Sequence, residues 1–200
     1  MGVSQGDADF FNTQVSVFSV GMTRLLPDLI ETERLRLRQP RVTDAEIIFE
    51  SYATDPEICR YMIWQAHESV DITRRFIGEC IASWRAGDRL PYVMVEKSSR
   101  TLLGMLEARS QGHSVEIGYV LARSHWGKGF MTEAVKAFTS YALAQPLVFR
   151  VQATCDIENT ASARVLEKCG FVREGRLGRY LMHPNLSSEP RDCFIYAQVK

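Results

Sequence analysis

The chain has 200 residues, and its 24 Lys and Arg are balanced by 24 Asp and Glu, so its formal net charge is zero at neutral pH. Such a chain carries no electrostatic footprint for nucleic acid or an anionic membrane surface, and no apolar run approaches the ~20 residues of a membrane span. With 46% hydrophobic and 24% charged residues, the composition is that of one globular domain with its own core.

Residues 1–21 differ from the rest. Gly2 to Asp9 is small and polar and Phe10 to Val20 is moderately apolar, without the basic segment and small-residue cleavage site of a secretion signal. Gly2 also lacks the myristoylation pattern. This extension is expected to be an upstream start, a mobile arm or a strand packed on a partner, with a single domain over 22–200.

Within the domain, Glu31 to Arg38 places Leu35 and Leu37 on one side and arginines on the other, the alternation of a strand. Thr43-Asp44-Ala45-Glu46 has the form of a capping box opening a helix through about Ala53. A longer helix is expected from about Ser69 to Ala86, then strands near Tyr92–Glu96, Leu102–Ala108 and Val115–Leu121. After these comes Ser124-His125-Trp126-Gly127-Lys128-Gly129-Phe130-Met131-Thr132-Glu133-Ala134. Glycines at such a strand-to-helix turn let the backbone approach a ligand, and the first orphan N–H groups of the helix then face it. Together with the helix dipole and Lys128, this favours a phosphate. The pattern is neither a Walker loop nor a dinucleotide fingerprint. Ala134, Val135, Phe138, Tyr141 and Ala142 then follow at helical spacing.

Leu147 to Thr154 reads as a strand. Asn159 caps the next helix, Ala163, Val165 and Leu166 form its apolar face, and Gly170 ends it. Phe171–Leu181 and Asp192–Gln198 read as closing strands around a polar loop from His183 to Pro190, placed to form a wall or to meet a second subunit. The five cysteines, Cys59, Cys80, Cys155, Cys169 and Cys193, have neither the even count nor the spacing of a disulfide or zinc framework. They suit buried free thiols in a reducing cytoplasm, with Cys155 or Cys169 as acyl-accepting nucleophile the minor alternative. The four histidines are too scattered to suggest a metal.

The order strand, W-G-K-G-F-x-T-E-A helix, strand, N-x-x-S-x-x-V-L-E-K-C-G-F helix resembles the GNAT superfamily of acyl-coenzyme-A-dependent N-acetyltransferases. It looks like the branch that includes the RimJ and RimL ribosomal-protein N-terminal acetyltransferases. Asp55-Pro56-Glu57 and Ile58 to Met62 match a segment typical of that branch, and the similarity runs from about Leu29 to Val199. The resemblance implies a mixed α+β fold with a mostly antiparallel, splayed sheet of six to seven strands and about four flanking helices.

It further implies an enzyme that transfers an acetyl group from acetyl-CoA to a primary amine by direct attack in a ternary complex, without a metal. The pantetheine arm would lie where the sheet splays, pairing with backbone groups of Tyr119, Val120 and Leu121 like an added strand. The pyrophosphate would sit on N–H groups of Trp126, Gly127, Lys128, Gly129, Phe130 and Met131. Where the superfamily often has Arg or Gln, three residues before the first glycine, this chain has Ser124, a weakened side-chain contact. Asn159 and Ser162 project from one side of their helix start. Asn159 either caps the helix or bonds the pantetheine, and Ser162 is the candidate proton donor to the coenzyme sulfur, with Tyr180 as a second. Glu116 is the candidate base or amine-binding carboxylate, the alternative being a solvated strand residue, and Glu107 is the weaker candidate.

The implied acceptor is a protein N-terminus, with antibiotics, polyamines and amino acids as alternatives, and a non-catalytic acyl-CoA-binding module as a further one. Its contacts are expected from Trp64 to Ser69, Arg85 to Leu90 and Arg179 to Arg191. A homodimer is an open expectation.

Overall fold

In the computed structural model, which describes residues 26–87 and 89–200, eight strands form one sheet. Residues 1–21 lie outside the described part. The strands are β1 Leu29–Glu31, β2 Leu35–Arg38, β3 Arg89–Glu96, β4 Leu102–Gln111, β5 Ser114–Leu121, β6 Arg150–Asp156, β7 Val172–Leu181 and β8 Arg191–Val199. Their order is β1-β2-β3-β4-β5-β6-β8-β7, antiparallel throughout except for the β5–β6 pair.

The strand count exceeds the expected six to seven partly because Glu31 to Arg38 is not one strand. The Thr32 N–H donates to the Leu35 carbonyl at 3.0 Å, and the Leu35 N–H returns to Thr32 Oγ1 at 2.8 Å. The chain therefore turns at Thr32–Arg34, and β1 pairs back on β2.

Among the described residues five α-helices flank the sheet: α1 Asp44–Ile48, α2 Pro56–Cys59, α3 Val70–Ala86, α4 Phe130–Ala144 and α5 Thr160–Lys168. The helix expected from Thr43 to Ala53 is α1 followed by a π-helical turn, Phe49–Ala53. Its capping box does not form, since Thr43 makes no side-chain cap. Its partners are engaged elsewhere: Asp44 accepts from the Arg41 N–H at 2.7 Å and pairs with Arg38 at 2.7 Å, while Glu46 pairs with Arg74 at 2.7 Å.

Strand alternation splits the core between the two faces of the sheet. Tyr92, Met94, Leu106 and Ile117 pack with Phe130, Val135 and Phe138 of α4 and Leu166 of α5. Val93 and Met105 turn to the other face, against Ile48, Tyr52, Ile77 and Cys80. Tyr141, expected on the buried stripe of α4, is exposed. Among the described residues no helix is long and apolar enough to cross a membrane.

One irregularity positions the site. Strands β5 and β6 pair in parallel only from Ser114↔Arg150 to Glu116↔Gln152. Strand β5 nevertheless continues along β4 to Leu121↔Gly104, and β6 along β8 to Asp156↔Cys193. Beyond Glu116 the two strands diverge and open a V in the middle of the sheet.

Candidate active site

The loop before α4 is built to present backbone donors. Gly127 and Gly129 have φ of +73° and +80°, a left-handed backbone that costs other L-residues about 1–2 kcal/mol each. A Cβ on Gly127 would meet nothing within 4 Å, so conformation rather than crowding calls for glycine there. Among the described residues, the N–H groups of Gly127, Lys128, Gly129, Phe130, Met131 and Thr132 find no acceptor in the chain, and the first helical bond is from the Glu133 N–H to the Gly129 carbonyl at 3.0 Å. A run of free donors at a helix start is an anion site by geometry and dipole together. The Trp126 N–H, expected among these donors, is taken by the Arg123 carbonyl at 3.1 Å.

Three contacts hold the loop still. Trp126 Nε1 donates to the Leu121 carbonyl at 2.8 Å. Arg123 forms a forked pair with Asp55 at 2.6 and 3.0 Å, and Asp55 also caps α2 through the Glu57 N–H. Arg34 donates to Glu133 Oε2 at 2.6 Å and to the Lys128 carbonyl at 3.0 Å, and its guanidinium stacks on Phe130. Burial pushes the Glu133 carboxyl up, but the Thr32 hydroxyl and Arg34 outweigh it and leave it below the usual range. Glu133 is thus a structural anchor, as its place in the first turn suggests.

The V carries the next groups. The Ala122 N–H donates to Leu103 of β4 at 2.8 Å, so by two-residue alternation the backbone of Val120 also faces β4 while Tyr119 and Leu121 face the gap. Val120 is therefore not one of the backbone groups open to a pantetheine. Across the gap Asn159 caps α5, its Oδ1 accepting from the Ser162 N–H at 3.1 Å, so the capping role is realised. The Ser162 hydroxyl lies 2.9 Å from Tyr119 Oη, with either oxygen able to donate, and the single phenol proton has the Ser162 carbonyl at 3.2 Å as its other acceptor. Burial pushes the Tyr119 hydroxyl far above the ordinary tyrosine range, so it stays protonated.

A cavity of about 200 Å³ occupies the V, with Asn159 and Ser162 on one side and Glu107, Arg109, Glu116 and Gly118 on the other. The structure thus brings the candidate carboxylates and Ser162 to one space. Glu116 accepts from Gln111 Nε2 at 2.7 Å, and Glu107 pairs with Arg109 at 2.6 Å and Arg89 at 3.3 Å. Tyr180 does not join them and is exposed on β7. Burial pushes the Cys155 and Cys169 thiols up to about 12 and about 11, which keeps both protonated and leaves neither a nucleophile.

The 182–190 loop forms the far wall. Asn185 Nδ2 donates to the Cys59 and Trp64 carbonyls at 2.8 and 2.7 Å, and its Oδ1 accepts from the Ala66 N–H at 3.3 Å, fixing the 59–66 segment. His183, which opens the loop expected to form a wall of the acceptor side but was not singled out by itself, is 3% exposed and lines the cavity. Neither of its ring nitrogens has a hydrogen-bond partner among the described residues, and its Nε2 lies 3.8 Å from Asp156. Burial raises the Asp156 carboxyl, but Arg191 at 2.6 Å and the Glu158 N–H outweigh it and hold it below the usual aspartate range. Nothing local in the sequence marks His183, since it lies in a polar loop and is buried only by tertiary packing.

The profile of the acetyltransferase (GNAT) domain family matches residues 34–172. The uncharacterized N-acetyltransferase YoaA of Bacillus subtilis is 31% identical over 175 residues, which cover 86% of this chain and 97% of YoaA. A GNAT-family acetyltransferase from Bacillus anthracis is 28% identical, with a TM-score of 0.75 over 86% of this chain and 98% of its own. Mycobacterium smegmatis RimJ, solved in complex with a CoA-disulfide, is 25% identical, with a TM-score of 0.76 over 86% of this chain and 88% of its own. A profile that spans most of the chain, a relative matched almost end to end and a sheet that opens beside a glycine-rich helix start agree: the chain belongs to the GNAT family of N-acetyltransferases.

Proposed function

We propose that the chain acetylates a primary amine, a peptide N-terminus or a small molecule, with acetyl-CoA and amine bound together. When bound, acetyl-CoA supplies the thioester that the amine attacks. The residues present fit this group. The free N–H groups of residues 127–132 suit its pyrophosphate, with Lys128 beside them, and the backbone of Tyr119 and the Leu121 N–H with the Asn159 side chain suit its amide-bearing arm. The observation that carries the reading is one continuous cavity with Ser162 at one side and Glu116 and Glu107 at the other, a proton donor and a proton acceptor facing one space.

In this reading Glu116 draws off the ammonium proton, directly or through water, because only the neutral amine is nucleophilic. Ser162 Oγ gives a proton to the departing sulfur, held in place by Tyr119 Oη, whose burial keeps it a donor. Of the two protons an ammonium loses on becoming an amide, one leaves through Glu116 to water and the other balances the one delivered by Ser162. The five unpaired, buried cysteines suit a reducing compartment, and we place the protein in the cytoplasm.

Free-thiol release from acetyl-CoA against a panel of N-terminal peptides, polyamines, aminoglycosides and amino acids tests this. Turnover with any amine class supports it. Coenzyme binding with no amine acetylated across the panel would favour a binding module instead.

A further inference from the structure

Next to the V lies a second cavity of about 320 Å³ on the α1 and α3 side of the sheet, within the size range of small-ligand pockets. Tyr52, Trp64, His67, Phe76 and Met105 form much of its wall. The Trp64, His67 and Phe76 rings follow one another at centroid separations of 5.2 and 6.2 Å. The two cavities share Met62, Ile63, Glu107, Arg109, Gly118 and Tyr119. They meet at Gly118, where a Cβ would find nothing within 4 Å, so the missing side chain leaves the passage open.

Two properties of this space select an acceptor. The first is its apolar, ring-lined wall, which continues to the mouth: Ile63 lines both cavities yet is 53% exposed. The second is charge. The ionised side chains lining the second cavity are Arg89, Arg109 and Glu107, and Glu107 already holds both arginines. His67 adds no charge, since burial lowers its pKa and favours the neutral ring, whose Nδ1 is bound to Thr73 Oγ1 at 2.7 Å. The lining is therefore net positive, and a cation carried deep into it would lose its water without gaining a partner.

We propose that the acceptor is a primary amine carried on one uncharged aromatic or branched apolar group, which fills the second cavity while the amine sits at Gly118 facing Glu116. A polycation such as a polyamine is a poor fit. This rests on the N-acetyltransferase reading above. The chemistry is shared by a free arylalkylamine and by a peptide whose first residue is Phe, and the experiment separates the two.

Thiol release is measured with 2-phenylethylamine, a Phe-initiated peptide, a Ser-initiated peptide and spermidine, and calorimetry with the same four compounds reads binding without turnover. The better of the two aromatic acceptors should exceed spermidine and the Ser peptide in kcat/KM by about tenfold or more, the scale on which an apolar pocket discriminates. Ile63→Glu, at an exposed position, should cut that ratio about fivefold or more with an unchanged melting temperature. Spermidine or the Ser peptide used as well as both aromatic acceptors would overturn the proposal, as would an unchanged ratio in Ile63→Glu. If coenzyme A does not bind, the transferase reading falls, and the calorimetric ranking of the aromatic amines over spermidine still decides this one.

Discussion

The proposed coenzyme side and the proposed acceptor side of this site are made in opposite ways. The pyrophosphate part of the coenzyme side is one contiguous stretch, residues 123–133, whose working groups are backbone donors set by two left-handed glycines. The acceptor side gathers Tyr52, Trp64, Phe76, Glu107, Glu116 and His183, side chains from segments far apart in the chain. The first needs local conformation and tolerates varied side chains, whereas the second depends on which side chains the fold brings together. A family can therefore keep its coenzyme while changing its acceptor.

The sharpest way to break the comparison is Gly127→Glu. A carboxylate a few ångströms from a pyrophosphate in a partly screened site costs several kcal/mol, so coenzyme A affinity should fall about a hundredfold or more by calorimetry. The folded state should lose only the roughly 1–2 kcal/mol of a left-handed non-glycine residue, read from a thermal melt.

Ser162→Ala and Glu116→Gln probe the meeting point of the two halves. Each should lower kcat about tenfold or more, the scale of a lost proton-transfer group, with coenzyme affinity retained. Full turnover in both would remove the proton roles assigned to them.

Asn185→Ala sharpens the acceptor side. It removes three hydrogen bonds that hold residues 59–66, each worth about 1 kcal/mol net. Acceptor KM should rise about five- to tenfold while coenzyme binding stays as in the wild type. An unchanged KM would mean that the 59–66 wall does not touch the acceptor.

The smallest effect is on acid stability. The folded-state pKa of Asp156 is lowered, so its contribution is present above the ordinary aspartate value of about 3.9 and is lost as pH falls through the lowered folded value. Melting temperature should therefore decline below about pH 4, and Asp156→Asn should flatten that limb, measured as the difference between melts at pH 3 and pH 7.

The same contrast explains what was legible in the sequence. The glycine turn before α4, the Asn159 cap and the alternating strands were readable because each depends on neighbours within about one turn or one strand pair. The Thr43 box was misread because Asp44 and Glu46 are claimed by Arg38 and Arg74, partners that no local pattern reveals. Glu31 to Arg38 looked like one strand because Leu35 and Leu37 alternate with arginines, a pattern that does not register the Thr32 hydroxyl closing the turn at Thr32–Arg34. The wall begun at His183 was legible but the burial of its ring was not, for the reason already given, and the phenol of Tyr119, chosen for its backbone, meets Ser162 through a tertiary contact 43 residues apart.

The most direct test of this division is a paired calorimetric titration of coenzyme A into Gly127→Glu and Asn185→Ala beside the wild type. The account predicts that the first loses binding about a hundredfold or more while the second binds as the wild type does. Wild-type affinity in Gly127→Glu, or an equal loss in Asn185→Ala, would contradict it.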